Sequence, residues 1–283
     1  MEYIRKSYAG VSCPWWHYAE VESTNTQAGD IVRDITDVED SADYDAVRFV
    51  VSADKQTAGR GRTGHQWVSV PGINCAVSYI CELSQEWYNA HGTWISTVAG
   101  LCVAQAVESV YKLDDIKLKW PNDIYAKGRK LGGILCEVVE RDDAPEKIFV
   151  IIGIGINIEA APRIEANYEA TCIRELAELA GEMATIDSAS ADALIVRIAG
   201  QLNKFFSSDN EKNLHAVDTM HTFREQALRR SYTVGRRVVV RRVDSTEIFG
   251  KAVNIGLDAS LEILDDSTRQ KVNVRVGDVG ILP

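Results

Sequence analysis

Gln56-Thr57-Ala58-Gly59-Arg60-Gly61-Arg62-Thr63-Gly64-His65-Gln66-Trp67 sets three glycines among two arginines. No Asp or Glu occurs from Lys55 to Gly72, in a chain whose net charge is −10. Such local positive charge reads as a place for an anion. Glycine lets backbone approach a ligand closely or take positive φ, and arginine offers forked, permanently charged donors to carboxylate or phosphate oxygens. The stretch is neither a Gly-Lys-Ser/Thr phosphate loop nor a dinucleotide fingerprint. On these residues alone, a flexible basic surface loop built on glycine turns explains it equally well.

The flanks place this loop in a fold. Ala46 to Ala53 reads as a buried strand running into it, and Ile73 to Cys81 as the next strand. Thr93 to Lys112 carries Ile95, Val98, Ala99, Cys102, Val103, Ala106, Val107 and Val110 at helical spacing. Ile116 to Trp120 alternates like a strand and ends at the turn Pro121-Asn122-Asp123. Gly132 to Val139 and Lys147 to Ile158 predict two more strands, the second holding Gly153 and Gly155, where glycine in an apolar strand marks a close approach. Thr171–Gly181, Ala191–Ser207 and Leu214–Arg229 read as helices. From Val234 the texture turns to short strand-like runs with turns near Asp244, Gly256–Asp258 and Asp265–Ser267, a small all-β barrel-like unit. The N-terminal residues, Met1 to Glu20, are aromatic-rich but too few for a domain. Ser23-Thr24-Asn25 precedes a helical stretch, Gln27 to Ile35, and reads by itself as an N-cap. Six acids and no base between Asp34 and Asp45 mark a solvated loop.

Composition bounds the function. With 283 residues and 46% hydrophobic content, the chain has material for one large domain and a small one. Thirty-one basic against 41 acidic residues argue against general binding to nucleic acid or an anionic membrane. No signal peptide is recognisable at the N-terminus, and no apolar run reaches the roughly 20 residues of a bilayer span. The six cysteines form no Cys-x-x-Cys pair, so free thiols in a reducing cytoplasm are expected rather than disulfides or zinc.

A second basic cluster, Lys117 to Lys130, holds Lys117, Lys119, Lys127, Arg129 and Lys130 against one acid, Asp123. Read as a surface hairpin it would simply be solvated. Yet Lys130 abuts Leu131-Gly132-Gly133, and Asn122-Asp123 follows a Trp-Pro pair that fixes its position. Two electropositive glycine-bearing elements on neighbouring strands, with Asn157 beyond, fit a multiply anionic ligand without identifying it.

Taken in order, Ser23-Thr24-Asn25, the Gln56-to-Gly64 loop, Lys119-Trp120-Pro121-Asn122-Asp123, Arg129-Lys130-Leu131-Gly132-Gly133-Ile134-Leu135 and Gly155-Ile156-Asn157 resemble the motif series of the biotin–protein ligases. The resemblance spans about residues 18 to 160, and Glu247 to Leu264 is similar to that family's C-terminal unit. It implies an α+β fold: a mixed sheet flanked by helices, like class II aminoacyl-tRNA synthetases, over 1–230, then an SH3-like β-barrel domain over 231–283. The implied reaction makes biotinyl-5′-AMP from biotin and ATP, then passes biotin to one lysine of a biotin carboxyl carrier protein. By resemblance, Lys130 and Arg62 are catalytic. Arg60, Gly61, Arg62 and Lys130 hold the biotin carboxylate and adenylate phosphate, Gly132 and Gly133 belong to the biotinyl-AMP site, and Ser23, Thr24, Asn25 and Gln56 serve the ureido ring. Trp67, Asn122 and Asn157 are implied ATP contacts, and Asp123 a Mg²⁺ ligand. The loop is expected to close over the intermediate. Thr63 and His65 depart from basic residues common in the family. About 20 residues precede the first motif, which implies the monofunctional type without a DNA-binding module, cytoplasmic, with no DNA or membrane partner and with a homodimer left open.

Three rival readings frame this one. A lipoate or other acyl-carrier ligase would use the same fold. An RNA-binding accessory protein would draw on the doublets Arg229-Arg230, Arg236-Arg237 and Arg241-Arg242, which strand edges explain more simply. A non-catalytic carrier-binding module would tolerate loss of Lys130.

Overall fold

The computed structural model describes residues 2–8, 12–34, 46–68, 73–162, 169–181, 186–206, 217–242 and 244–282. Apolar strands of the central region pair into a mixed sheet ordered β1-β2-β3-β4-β8-β7-β6-β5. Its members are β1 (Ile4–Lys6), β2 (Trp15–Val21), β3 (Val47–Gln56), β4 (Cys75–Ser84), β5 (Lys117–Lys119), β6 (Asp123–Ala126), β7 (Arg129–Val139) and β8 (Lys147–Ile156). All neighbours are antiparallel except β2 and β3, which are joined through helix α1 (Thr24–Asp34).

The strand period of two divides the side chains between two layers. Cys75, Val77, Tyr79, Cys81 and Leu83 of β4 face the larger core, with α3 (Ile95–Tyr111) and α5 (Ser188–Phe206). Val51, Ile80, Phe149 and Ile151 face the other way and bury Ala28, Ile31 and Val32 of α1. Helices α2 (Gln85–His91), α4 (Ile173–Ala180) and α6 (Val217–Arg230) complete the described layer elements. Residues Gln85–Tyr111 are long and apolar enough by composition to cross a bilayer, which the sequence reading passes over. Their apolarity belongs to the core instead: Val98, Ala99, Val103 and Val107 are fully buried.

The expected α+β arrangement is the one found, with differences at the margins. The N-terminal residues are sheet edge, with Trp15 buried in the main core. Their element escapes the sequence because Trp15-Trp16-His17-Tyr18-Ala19 does not alternate cleanly. Residues 35–45, expected as a solvated loop, lie outside those described, as does Leu214 at the expected start of α6.

The C-terminal strands β9 (Arg237–Arg241), β10 (Glu247–Ile255), β11 (Leu261–Asp265), β12 (Lys271–Val274) and β13 (Asp278–Ile281) form an antiparallel sheet, order β12-β11-β10-β9-β13, with its own core of Val238, Val240, Ile248, Leu261 and Ile263. Trp120, from the turn between β5 and β6, is part of that core. Its indole Nε1 donates to Ala259 O at 3.0 Å and its backbone N to Thr233 Oγ1 at 3.0 Å. Trp120→Phe is expected to lower stability by about 1–2 kcal/mol, mostly through the lost hydrogen bond and the orphaned carbonyl. A denaturant midpoint unchanged from the parent protein would refute this.

All six cysteines are free. Burial pushes the Cys75, Cys102 and Cys136 thiols up to about 12 and raises Cys81 well above the ordinary thiol value. Raised values keep them protonated at about pH 8, where only thiolate reacts. Ellman's reagent is therefore expected to react slowly with native protein and fully after denaturation. A fast stoichiometric burst at the buried thiols would contradict this.

Candidate active site

On the α1 face, beyond the end of that helix's apolar contacts, the sheet floor turns small. Ala53 lies opposite Ala76, Gly155 between Ala76 and Gly133, and Gly153 between Ser78 and Leu135. The glycines are required because other groups occupy their Cβ positions. A Cβ on Gly153 would stand 2.1 Å from Asn25 Oδ1, and one on Gly155 2.4 Å from Trp67 Cε2.

A neutral polar group sits at the α1 end. Ser23, Thr24 and Asn25 are all buried where the helix begins. Thr24 donates to Gln56 Oε1 from its backbone N at 2.8 Å and from its hydroxyl at 3.1 Å. Ser78 Oγ lies 2.8 Å from Thr24 Oγ1 and 2.6 Å from Asn25 Oδ1, with one proton to donate between them. Asn25 Nδ2 donates to Leu135 O at 3.2 Å and to Glu137 Oε2 at 2.7 Å. These side chains face the sheet and so form a neutral donor–acceptor lining, where the sequence alone reads a helix cap.

Cations arrive from two directions. The Gly-Arg segment is a small hairpin, Gly61 N donating to His65 O and Trp67 N to Gly59 O. Its close strands need Gly59, whose Cβ would meet Trp67 O at 2.4 Å. Arg60 Nη2 reaches Glu137 Oε2 at 2.7 Å, and Arg62 Nη1 reaches Asn122 Oδ1 at 3.4 Å. Asn122 is itself fixed, Nδ2 donating to Ile134 O at 2.6 Å. Lys130 Nζ lies 2.6 Å from Asp123 Oδ1, and Lys119 Nζ 3.3 Å from Asp123 Oδ2. Gly133 lies against this group, its Cβ position 3.7 Å from Asp123 Oδ1 and 3.8 Å from Lys130 Nζ. Gly132 serves packing, since a Cβ there would lie 2.4 Å from Gly155 O.

The two basic elements do meet, but not on neighbouring strands as expected. β4 and β8 separate β3 from β7. The hairpin crosses both, laying Trp67 over Gly155 and extending Arg62 to Asn122.

Two expected ligand residues have structural partners. Asn157 is buried, and its Nδ2 donates to Thr171 O at 3.0 Å. With Lys130 N to Glu169 O and Thr171 N to Lys130 O, it fastens residues 169–171 to the head of β7. Arg129 holds the next turn through Glu175, keeping that carboxyl below the usual carboxylate range. Asp123 is engaged by two lysines, and among the described residues no group of three His, Cys, Asp or Glu side chains could hold a metal. The donor set does not fit a resident Mg²⁺. Sequence reasoning missed Ser78 and Glu137; the visible signal was a lone polar residue in each of two otherwise apolar runs.

A neutral polar group running into Arg60, Arg62, Lys119 and Lys130, braced by Glu137 and Asp123 over a glycine floor, can offer hydrogen bonds to a neutral head group and cations to a carboxylate and a phosphate. The chain belongs to the biotin/lipoate A/B protein ligase family, whose model matches residues 22–157. It is 31% identical over 278 residues to the biotin–[acetyl-CoA-carboxylase] ligase of Mycobacterium tuberculosis, covering 98% of this chain and 93% of that protein. It is 40% identical over 114 residues to the bifunctional ligase/repressor BirA of Escherichia coli, 40% of this chain and 33% of that one. The fold is that of the biotin protein ligase of Aquifex aeolicus in complex with biotin and ATP, with TM-score 0.67, 24% identity, and 95% and 98% of the two chains covered. The Leishmania major ligase in complex with biotin gives TM-score 0.62 at 25% identity, covering 94% and 97%.

Proposed function

We infer that this protein is an ATP-dependent biotin–protein ligase that makes biotinyl-5′-AMP and transfers biotin to a lysine of a biotin carboxyl carrier protein, that of acetyl-CoA carboxylase being the reading its relatives favour. The observation that carries this is the similarity over 98% of the chain to a biotin–[acetyl-CoA-carboxylase] ligase, on a chain whose Gly-Arg hairpin reaches Asn122 beside the Asp123–Lys130 pair. The ureido ring takes its hydrogen bonds from Thr24, Asn25, Ser78 and Gln56, beside Ser23. The biotin carboxylate oxygen attacks the α-phosphorus and pyrophosphate leaves. Both reactants are anions, so Arg60, Arg62 and Lys130 offset their repulsion as charge develops. Mg²⁺ enters with ATP as substrate, and Asp123 aims Lys130 instead of ligating it. In the second step the carrier amine attacks the acyl carbon, AMP leaves with the bond pair, and the ammonium proton goes to solvent. Positioning over the glycine floor supplies most of the rate.

We assign the catalytic part to residues 1–230 and the small β-unit to 231–283. The free thiols support a cytoplasmic setting. The test is transfer of biotin to a carrier domain in the presence of biotin and Mg·ATP, with lipoate as competitor. No labelling beside an active control ligase, or preference for lipoate, would overturn the reading.

A further inference from the structure

The tip of the Gly-Arg hairpin is held by the second domain. Asp278, the first residue of β13, accepts a hydrogen bond from Thr63 Oγ1 at 3.2 Å. Its Oδ1 stands 4.0 Å from Arg62 Nη1 and its Oδ2 3.9 Å from His65 Nε2. Because Arg62 Nη1 also reaches Asn122 Oδ1, one guanidinium lies between the two domains.

Two independent features give the contact purpose. Thr63 has φ 50° and ψ 35°, a left-handed conformation that strains a β-branched residue. Such strain persists where surrounding contacts over-determine it, typically at ligand clamps. Thr63 and His65 are also the two positions at which the loop departs from the basic residues implied by its family resemblance. A neutral hydroxyl at 63 binds Asp278 without adding a cation beside Arg62. Asp278 is placed firmly, paired with Arg241 across β9 where Gly277 allows close approach, its Cβ position 2.9 Å from Arg241 O.

We propose that Asp278 is a positioning residue of the ligase reaction: by holding Thr63 it fixes the hairpin tip so that Arg62 is presented to the nucleotide phosphate. This rests on the ligase function inferred above. The contact is half-exposed, so its effect is modest, and it acts on nucleotide binding more than on turnover.

The test compares the full-length parent protein with Asp278→Ala, Asp278→Asn, Thr63→Ala and the double alanine variant. In biotin-dependent pyrophosphate release, each alanine variant is expected to raise KM for ATP about two- to fivefold with kcat within about twofold. The double variant is expected to be no worse than Asp278→Ala. Unchanged KM, or effects that multiply in the double variant, would overturn the proposal. Limited trypsin digestion without ligands reads the same contact: Asp278→Ala is expected to speed cleavage after Arg60 and Arg62 at an unchanged melting midpoint. Asp278→Asn, which keeps an acceptor for Thr63, is expected to retain protection. Equal cleavage of Asp278→Ala and parent would refute the contact, as would Asp278→Asn cleaved as fast as Asp278→Ala. A parent protein that releases no pyrophosphate would sink the ligase reading, while the trypsin comparison still judges Asp278.

Discussion

Replacing Lys130 by alanine is expected to lower kcat/KM for biotin-dependent pyrophosphate release by about 10²- to 10³-fold. That is the range for removing one preorganised donor aimed at charge developing in the transition state. The side chain is mostly buried, and its Nζ is held 2.6 Å from Asp123 Oδ1. In the variant, Asp123 keeps Lys119 at 3.3 Å, so no carboxylate is stranded and the stability change stays within about 1 kcal/mol. Single-turnover kinetics and a thermal melt on the same sample separate the two effects. A rate within about threefold of the parent, with the fold intact, would remove Lys130 from the chemistry and revive the non-catalytic alternative.

A single methyl group on the floor is the second large effect. Gly153→Ala places Cβ 2.1 Å from Asn25 Oδ1, closer than any real contact. Neither partner yields easily. Gly153 is paired with Ser78 on one side and Leu135 on the other, in mid-sheet. Asn25 is buried and bonded to Ser78, Leu135 O and Glu137. Displacing the amide leaves buried partners unmatched, each costing about 1–3 kcal/mol. Biotin affinity is therefore expected to fall about 100-fold or more in calorimetric titration. Binding within about fivefold of the parent would mean that Asn25 is not where the ureido group lodges.

Much of this site could be read before any coordinates. The apolar run of Ala46 to Ala53 and the alternation of Ile73 to Cys81 locate strands β3 and β4 to within a few residues, and the glycines at 153 and 155 declare a close approach. What approaches them could not be read, because Asn25 and Trp67 reach them from elements more than 80 residues away in sequence. Strand order was equally hidden: nothing local tells that β8 inserts beside β4, so the basic elements looked adjacent when two strands lie between them. Asn157 and Asp123 show the same limit of local reading. A polar residue at a strand end looks the same whether it awaits a ligand or is already bonded to Thr171 O or Lys130.

Trp120 ties chemistry to architecture. Two residues before Asn122 and three before Asp123, it is anchored inside the neighbouring β-unit with its indole bonded to Ala259. A fragment ending at Arg230 would expose this indole to water and slacken the turn that aims Asn122 and Asp123. Chimeras that exchange the C-terminal module between relatives should thus lose adenylation unless the incoming module brings a matching socket for the tryptophan.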